Sequence, residues 1–282
     1  MQYAIVTDSS SDLTYASQLD LPEEIGFGVA PLKIVAGERE WVDAPETDIV
    51  EMVDYLAGYS GKSGTACPGT GDWIKAFNGA MEVFGATITS KLSGSYNSAI
   101  VAKDVYEKEN PGARVHIVDS LSTGPQIWLI AEKLKELIEA GLPFDTIRDE
   151  IEAYRDNTEL LFSLESLTNL ANNGRVSPAV AKIAGMLNIR IVGFAVEGQL
   201  DPAHKVRGEK KMFATIVNQV VEKGCNGKKI RIAHVLNEAG AIKLKGMLQE
   251  VFPEAQIELN ATRALDSFYA ERGGLLVAFE TK

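Results

Sequence analysis

The chain has 282 residues, with 28 Lys and Arg against 39 Asp and Glu and a formal net charge of −11. This acidic balance argues against broad nucleic-acid binding, which needs an excess of positive charge, and no apolar run approaches the roughly 20 residues of a membrane span. The first residues reach Asp8 too soon for a signal peptide, and Cys67 and Cys225 have neither disulfide-framework nor zinc-site spacing. We therefore expect a cytoplasmic protein without a metal, a cofactor, a nucleic-acid partner or stable membrane insertion.

Short apolar segments alternate with longer amphipathic segments in the first half, a pattern typical of βαβ units and a mostly parallel sheet. Glycine and proline at 141–143 separate the last two helices of this half. In chain order, we predict strands at Tyr3–Thr7, Phe27–Val35, Ala86–Thr89 and Arg114–Val118, and helices at Thr47–Ala57, Asp72–Phe84, Tyr96–Glu109, Pro125–Ala140 and Phe144–Arg155.

The second half continues the alternation but carries a different charge. Residues 1–150 have a net charge of −13, whereas residues 151–282 have +2. At roughly 150 residues per domain, we predict an N-terminal α/β domain at 1–155 and a C-terminal α/β domain at 156–282, with the last strand able to return to the first domain. The predicted strands are Glu159–Leu164, Arg190–Val196, Lys229–Val235, Ala255–Leu259 and Leu275–Phe279, and the helices are Ser177–Asn188, Met212–Lys223 and Glu238–Val251.

Hydroxyl-rich turns follow three of the predicted first-half strands, at the edge where open α/β sheets bind ligands. They are Asp8–Ser11, Ser90–Ser95 and Asp119–Thr123, and a fourth polar turn, Ser63–Pro68, precedes the helix that leads to the third strand. Hydroxyl and backbone N–H groups at a helix N-terminus form a natural site for a carboxylate or a phosphate. The same residue types also cap helices, so only the convergence of several turns favours an anion site.

Standard catalytic motifs are mostly missing. The segment Gly61-Lys-Ser63 resembles the end of a P-loop, but Leu56 occupies the place of its first glycine, and a predicted helix precedes it where a strand is required. The chain has no G-x-S-x-G elbow and no HExxH motif. A small-molecule kinase or another enzyme for phosphorylated ligands, using the same hydroxyl-rich edge, remains the alternative function.

Positive charge gathers in one short stretch of the second half. Residues 205–211, Lys-Val-Arg-Gly-Glu-Lys-Lys, hold four cations and one acid. Together with Arg175, this stretch is compatible with a solvated surface or with a face that presents positive charge to a phosphate or to an acidic partner protein.

The order of these motifs resembles that of the DegV family, and the resemblance covers essentially the whole chain. The basic stretch at 205–211 is also similar to that family's basic segment. The motifs are Thr7-Asp-Ser-Ser-Ser-Asp12, Thr65-x-x-Pro68, Ser90-Lys-Leu-Ser-Gly-Ser-Tyr-Asn-Ser-Ala99, Val118-Asp-Ser120 and Asn173-Gly-Arg-Val-Ser177.

The resemblance implies a non-catalytic two-domain α/β protein that binds one long-chain fatty acid in a tunnel between its domains. It also implies that the bound carboxylate is presented to a separate ATP-using subunit of a fatty acid kinase. On the matching positions, Thr65 and Ser93 would hold the carboxylate oxygens, aided by the backbone N–H of Gly94. Arg175 and Arg207 match positive positions near the head group or on the kinase-facing surface.

The chain departs from the family pattern at two of these places. The Thr-Ser-Gln-Pro-like turn of the family reads Thr65-Ala-Cys-Pro68, which puts Cys67 near the proposed head group. Tyr269 stands where the family usually has histidine, and a phenol can hydrogen-bond a carboxylate but is a poor cation near neutral pH. This second departure bears on coupling to a kinase more than on lipid binding. The candidate tunnel residues are Ile183, Met186, Leu187, Ile191 and Phe194.

Overall fold

Alternating strands and helices build three β-sheets in the computed structural model, which describes residues 1–179, 182 and 188–281. The described strands are β1 (Tyr3–Asp8), β2 (Ile25–Ala30), β3 (Lys33–Ala36), β4 (Arg39–Val42), β5 (Ser63–Ala66), β6 (Glu82–Thr87), β7 (Arg114–Asp119), β8 (Thr158–Leu164), β9 (Ile189–Val196), β10 (Gln199–Arg207), β11 (Lys229–His234), β12 (Gln256–Ala261) and β13 (Leu275–Glu280). The described α-helices are α1 (Ile49–Gly58), α2 (Thr70–Ala76), α3 (Ser95–Glu109), α4 (Pro125–Glu139), α5 (Phe144–Arg155), α6 (Thr168–Asn172), α7 (Glu209–Glu222), α8 (Glu238–Val251) and α9 (Ala264–Ala270). Much of the predicted helix Ser177–Asn188 lies outside the described residues.

The first sheet is parallel throughout and has the strand order β2-β1-β6-β7, as the βαβ pattern predicts. Ala4, Ile5 and Val6 of β1 are fully buried because α4 and α5 cover one face of the sheet, while α2 and α3 cover the other. The carboxyl ends of β1, β6 and β7 meet at one edge, so the hydroxyl-rich turns that follow these strands converge there.

A second, three-stranded antiparallel sheet has the order β4-β3-β5. The prediction of one strand over Phe27–Val35 was wrong, because the chain leaves the parallel sheet after Ala30 and enters the small sheet at Lys33. Pro31 lies at this break and has no N–H to continue a ladder. The sequence analysis also missed β4 and β5, which are only four residues long.

The predicted helix Asp72–Phe84 was wrong as well. Helix α2 ends at Ala76, and the chain reverses at Asn78 and Gly79, which both adopt positive φ angles, 55° and 71°. Glycine takes this conformation without strain and asparagine tolerates it, which makes the pair a typical helix end. The apolar residues beyond it form strand β6, whose Val83 and Phe84 are fully buried in the parallel sheet.

The third sheet has six strands in the order β10-β9-β8-β13-β11-β12 and holds the strands after residue 155. Strand β13 lies between β8 and β11 and is antiparallel to both. The last strand therefore stays in the second half of the chain and does not return to the first sheet, which corrects that part of the prediction. The domain boundary at 155/156 itself stays a prediction.

Helix α4 joins the two halves, since it contacts β1 and β6 of the parallel sheet and also β8, β11 and β13 of the six-stranded sheet. Arg231 of β11 is 2% exposed and donates to both carboxylate oxygens of Glu132 on α4, from Nη2 at 2.8 and 2.9 Å. The Arg231 guanidinium also lies over the ring of Trp128, 5.2 Å from its centroid. Apolar packing and a buried ion pair thus hold the sheets in a fixed relation.

Within the part of the chain that the structure describes, no helix is both long and apolar enough to cross a membrane. The same described residues contain no group of three or more His, Cys, Asp or Glu side chains arranged to hold a metal ion.

Candidate functional site

Two of the predicted site residues, Thr65 and Tyr269, are in direct contact although they are far apart in the chain. Thr65 Oγ1 lies 2.8 Å from Tyr269 Oη, and either hydroxyl can be the donor. Thr65 is positioned by its ladder pairing with Ile34 in the small sheet, while Tyr269 is on the short helix α9. Both side chains are partly exposed, so this pair of hydroxyls can still reach a ligand.

The turn at Ser93 and Gly94 lies against Cys67, the residue that directly follows strand β5. Gly94 is the N-cap of the 15-residue helix α3, and Cys67 Sγ is only 3.2 Å from where a Cβ on Gly94 would stand. The Ser93 hydroxyl accepts a hydrogen bond from the backbone N–H of Ser95, at 3.2 Å. The first N–H groups of α3 and the Ser93 hydroxyl are donors of the kind that bind a carboxylate.

Arg175 connects this turn with Tyr269. Its Nε and Nη2 both donate to the carbonyl oxygen of Leu92, at 3.2 and 3.1 Å, immediately before Ser93. Its guanidinium carbon is also 5.9 Å from the centroid of the Tyr269 ring, within the range of a cation–π contact. Arg175 therefore brings a positive charge to the hydroxyls of Thr65, Ser93 and Tyr269, which we call the polar cluster. It also fixes the turn that precedes α3.

An apolar cavity begins at the same tyrosine. It has a volume of about 40 Å³ and extends from Tyr269 over the face of strands β8, β10 and β13. Its lining is apolar except for Tyr269, Thr123 and Asp266. The lining residues are Thr123, Leu160, Phe162, Leu164, Leu170, Leu200, Asp266, Tyr269, Ala270 and Leu276.

Neither of the two described tunnel candidates, Ile191 and Phe194, lines this cavity. Ile191 packs in the same core cluster as Phe162 and Leu164 but is absent from the described lining of the cavity. Phe194 belongs to a different cluster, packed with Met212 and Phe213 of α7, so it does not line this cavity. Ile183, Met186 and Leu187 lie outside the described residues.

Arg207 lies apart from the polar cluster. It is exposed at the end of β10, opposite Ile189 in the antiparallel ladder. In the described part of the chain, no hydrogen bond or ion pair joins Arg207 to Thr65, Ser93 or Tyr269. Its position is that of a surface residue rather than of a direct head-group contact.

Sequence reasoning missed the role of Asp8, which fixes the turn that carries Ser93. Asp8 Oδ2 accepts from the backbone N–H of Ile88 at 3.0 Å and from the Ser95 hydroxyl at 2.6 Å, while Oδ1 accepts from Ser10. The side chain is fully buried, and this burial raises its pKa to about 6. The motif Asp8–Ser11 gave the signal, but it indicated a ligand-binding turn and not a buried support.

The comparisons with known proteins agree over the whole chain. Residues 2–282 match a family profile described as "Uncharacterised protein, DegV family". A DegV domain-containing protein of Streptococcus pneumoniae is 39% identical over 282 residues, which cover 99% of each chain.

Two solved structures have nearly the same fold. A DegV family protein from Eubacterium eligens, loaded with heptadecanoic acid, is 40% identical, with a TM-score of 0.95 over 99% of this chain and 100% of its own. The Streptococcus pneumoniae Fatty Acid Kinase (Fak) B3 protein, loaded with linoleic acid, is 38% identical, with a TM-score of 0.96 over 100% of both chains. The resemblance seen in the motifs is confirmed, and the chain belongs to the DegV family.

Proposed function

We propose that this protein binds a long-chain fatty acid and holds its carboxylate among the hydroxyls of Thr65, Ser93 and Tyr269 and the backbone N–H of Gly94. Arg175 supplies a positive charge beside this cluster. The acyl chain enters the apolar cavity that starts at Tyr269. Fatty acids in the solved relatives from Eubacterium eligens and Streptococcus pneumoniae support this ligand class.

One observation carries the proposal: Tyr269 belongs to both parts of the site. Its hydroxyl hydrogen-bonds Thr65 in the polar cluster, and its ring lines the apolar cavity. An amphipathic ligand with one anionic end and one long apolar end matches this junction. A phosphorylated sugar or a nucleotide would place polar groups against the leucines of the cavity, which is costly.

The energy of binding comes mainly from the acyl chain. Burying about a dozen methylenes gains roughly 10 kcal/mol before the costs of association and ordering. The polar cluster then sets the orientation of the molecule through a few charge-assisted hydrogen bonds. Since the cavity measures only about 40 Å³, and pockets that enclose whole ligands measure roughly 300 Å³ or more, its side chains must move apart to admit the chain.

The protein then acts as a carrier that offers the carboxylate to a separate ATP-using kinase subunit, which forms an acyl-phosphate. The name of the Streptococcus pneumoniae relative, a fatty acid kinase B3 protein, supports this partner. The exposed cations Arg207 and Lys210 provide a face for an acidic partner protein. We expect this exchange to take place in the cytoplasm, where the kinase finds its ATP.

A binding titration with a matched pair of ligands tests the proposal. Oleate and methyl oleate share the acyl chain, but only oleate carries the anionic head group. We expect delipidated protein to bind oleate at least about tenfold more tightly than the ester, because charge-assisted hydrogen bonds are lost in the ester. Equal affinities would refute the head-group assignment. Failure to bind either ligand, together with ATP turnover by the isolated chain, would favour the enzyme alternative.

A further inference from the structure

The second aspartate of the N-terminal motif is buried at the contact between the two halves of the chain. Asp12 is 2% exposed, and its Oδ1 accepts a hydrogen bond from the backbone N–H of Arg263, the residue that caps α9. Its carbonyl oxygen accepts from the side chain of Asn260, at 3.0 Å. Asp12 therefore holds the segment that leads into the helix carrying Tyr269.

A second buried carboxyl faces Asp12 from that helix. Asp266 of α9 is 4% exposed, and its Oδ1 accepts from the Thr123 hydroxyl at 3.0 Å. Among the described residues, no N–H or hydroxyl group donates to Oδ2 of Asp12 or to Oδ2 of Asp266. Both Oδ2 atoms lie within 4 Å of one point beside Gly124, which brings a proton on either carboxyl within reach of the other.

The glycine at position 124 leaves room for the two carboxyls. Gly124, with φ of 58°, lies beside them, and a Cβ there would stand 2.8 Å from Asp266 Oδ2 and 3.9 Å from Asp12 Oδ2. Only glycine combines this backbone conformation with the room that the pair needs.

The charged groups around the pair favour a retained proton. Asp43, which follows strand β4, accepts hydrogen bonds from the N–H groups of Ala264 and Leu265. Asp43 and Asp8, the last residue of β1, are further carboxyls whose negative charge raises the pKa of Asp266. The Arg263 guanidinium is 3.9 Å from Asp43 and offsets that charge. Burial lowers the pKa of His234, which borders the same cleft as Asp12, so it adds no cation at neutral pH.

We propose that Asp12 and Asp266 share a proton and thereby act as positioning residues for Tyr269, three positions further along α9. This inference rests on the proposed function, because it names what places the tyrosine beside Thr65. When the last proton leaves, two buried negative charges repel each other across the contact between the halves. Helix α9 then loosens, and the hydroxyl of Tyr269 no longer stays at the head-group site.

The ionisation behaviour agrees with this geometry. Burial raises the pKa of Asp266 to about 7, and burial together with the neighbouring Asp266 raises the pKa of Asp12 well above its usual range. One proton thus remains on the pair at neutral pH and leaves at more alkaline pH. The contact between Asp12 and Asp266 is therefore intact at low and neutral pH and is lost as the pH rises.

The test compares oleate affinity from pH 7 to pH 10 in the wild type and in Asp266→Asn. The asparagine amide donates permanently to Asp12 in place of the shared proton, while its oxygen still accepts from Thr123. We expect wild-type affinity to fall at least about tenfold over this range and the affinity of the variant to change less than about threefold. Groups that titrate elsewhere in the protein affect both proteins and cancel in the comparison. Parallel pH profiles would overturn the inference.

Hydrogen exchange of residues 264–270 separates this inference from the proposed function. We expect faster exchange at pH 10 than at pH 7 in the wild type, after correction for the intrinsic rate, but not in Asp266→Asn. If neither protein binds oleate at pH 7, the proposed function fails, while the exchange data still decide on the proton-sharing pair. Equal protection of α9 in both proteins at pH 10 would overturn it.

Discussion

Thr65 Oγ1 and Tyr269 Oη lie 2.8 Å apart although 204 positions separate them in the chain. The small antiparallel sheet carries the first residue and a seven-residue helix carries the second. This hydrogen bond lies at the polar end of the apolar cavity, so one contact joins the proposed head-group site to the proposed acyl site.

Replacing Tyr269 by phenylalanine removes the hydroxyl but keeps the ring in the cavity and under Arg175. We expect oleate to bind about three- to tenfold more weakly, because a net hydrogen bond contributes about 0.5–1.5 kcal/mol, while the free energy of unfolding changes by less than about 1 kcal/mol. Equilibrium titration and urea unfolding measure the two quantities. Tyr15→Phe, at a tyrosine that is 57% exposed, is the control and should bind like the wild type. Unchanged affinity in Tyr269→Phe would show that the Tyr269 hydroxyl does not bind the carboxylate.

The hydroxyl-rich turns could be recognised from the sequence, whereas the buried support beneath them could not. The family resemblance singled out Thr65, Ser93, Gly94 and Tyr269 within or near these turns as the head-group site, and this assignment stays a prediction. The small sheet that carries Thr65 was missed because a four-residue strand has no measurable periodicity. The link between Asp12 and Asp266 was missed because it depends on the packing of segments about 250 residues apart.

A bulky side chain at Leu200 should block the acyl chain without disturbing the head-group site. Leu200 is half-buried on β10 and lines the cavity. We expect Leu200→Trp to weaken oleate binding at least about tenfold but octanoate binding less than about threefold, since the shorter chain reaches less of the cavity. Val196→Trp, at a valine that is 42% exposed on β9, is the matched control. Equal losses for both acids in Leu200→Trp would indicate that the chain does not occupy this cavity.

Asp8 should make stability depend on pH. Its pKa is about 6 in the folded protein because of burial, against an ordinary value near 3.8, so the folded state binds a proton that the unfolded state releases. The free energy of unfolding contributed by this group is therefore present at low pH and falls by about 3 kcal/mol as the pH rises from about 4 to 7.

Urea unfolding at pH 4.5 and pH 7.5 measures this contribution. We expect Asp8→Asn to lack that part of the pH dependence, because an amide does not titrate. The exposed Asp20 offers the control Asp20→Asn, which should keep the wild-type dependence. The same pH dependence in all three proteins would show that Asp8 titrates normally in the fold.

The buried pair of Arg231 and Glu132 should stabilise the contact between α4 and the six-stranded sheet only while both partners are present. We expect Arg231→Met to lower the free energy of unfolding by about 3–5 kcal/mol, because it removes the guanidinium that donates to both oxygens of the Glu132 carboxylate. The double variant Arg231→Met/Glu132→Leu should recover most of this loss. Arg148→Met, at a surface ion pair, should cost less than about 1 kcal/mol. A loss in the double variant as large as in Arg231→Met would contradict the explanation.

The basic segment should affect the kinase step and not lipid binding. We expect Arg207→Glu/Lys210→Glu to slow phosphorylation of bound oleate by the ATP-using fatty acid kinase subunit of Streptococcus pneumoniae at least about tenfold, while oleate affinity stays within about twofold. Lys108→Glu, at an exposed lysine of α3, controls for net charge. A wild-type phosphorylation rate in the double variant would show that the kinase subunit docks on another surface of the protein.

The errors in the predicted fold have local physical causes. The pair Asn78 and Gly79 ended a helix that apolar periodicity alone extended to Phe84, and Pro31 divided one apolar run between two sheets. Helix α9 was not predicted because seven residues give two turns, too few for a pattern. Asp43, more than 200 residues away, caps its first N–H groups, so tertiary contacts make this helix.

Mass spectrometry of an organic extract from the purified protein tests fatty acid binding most directly. The protein is produced in bacteria and washed without detergent, and the amount of each extracted fatty acid is compared with the amount of protein. We predict close to one long-chain fatty acid per chain, and less in the double variant Thr65→Val/Tyr269→Phe, which lacks both hydroxyls of the central contact. An extract without fatty acid, from protein that also fails to take up added oleate or palmitate, would contradict the account.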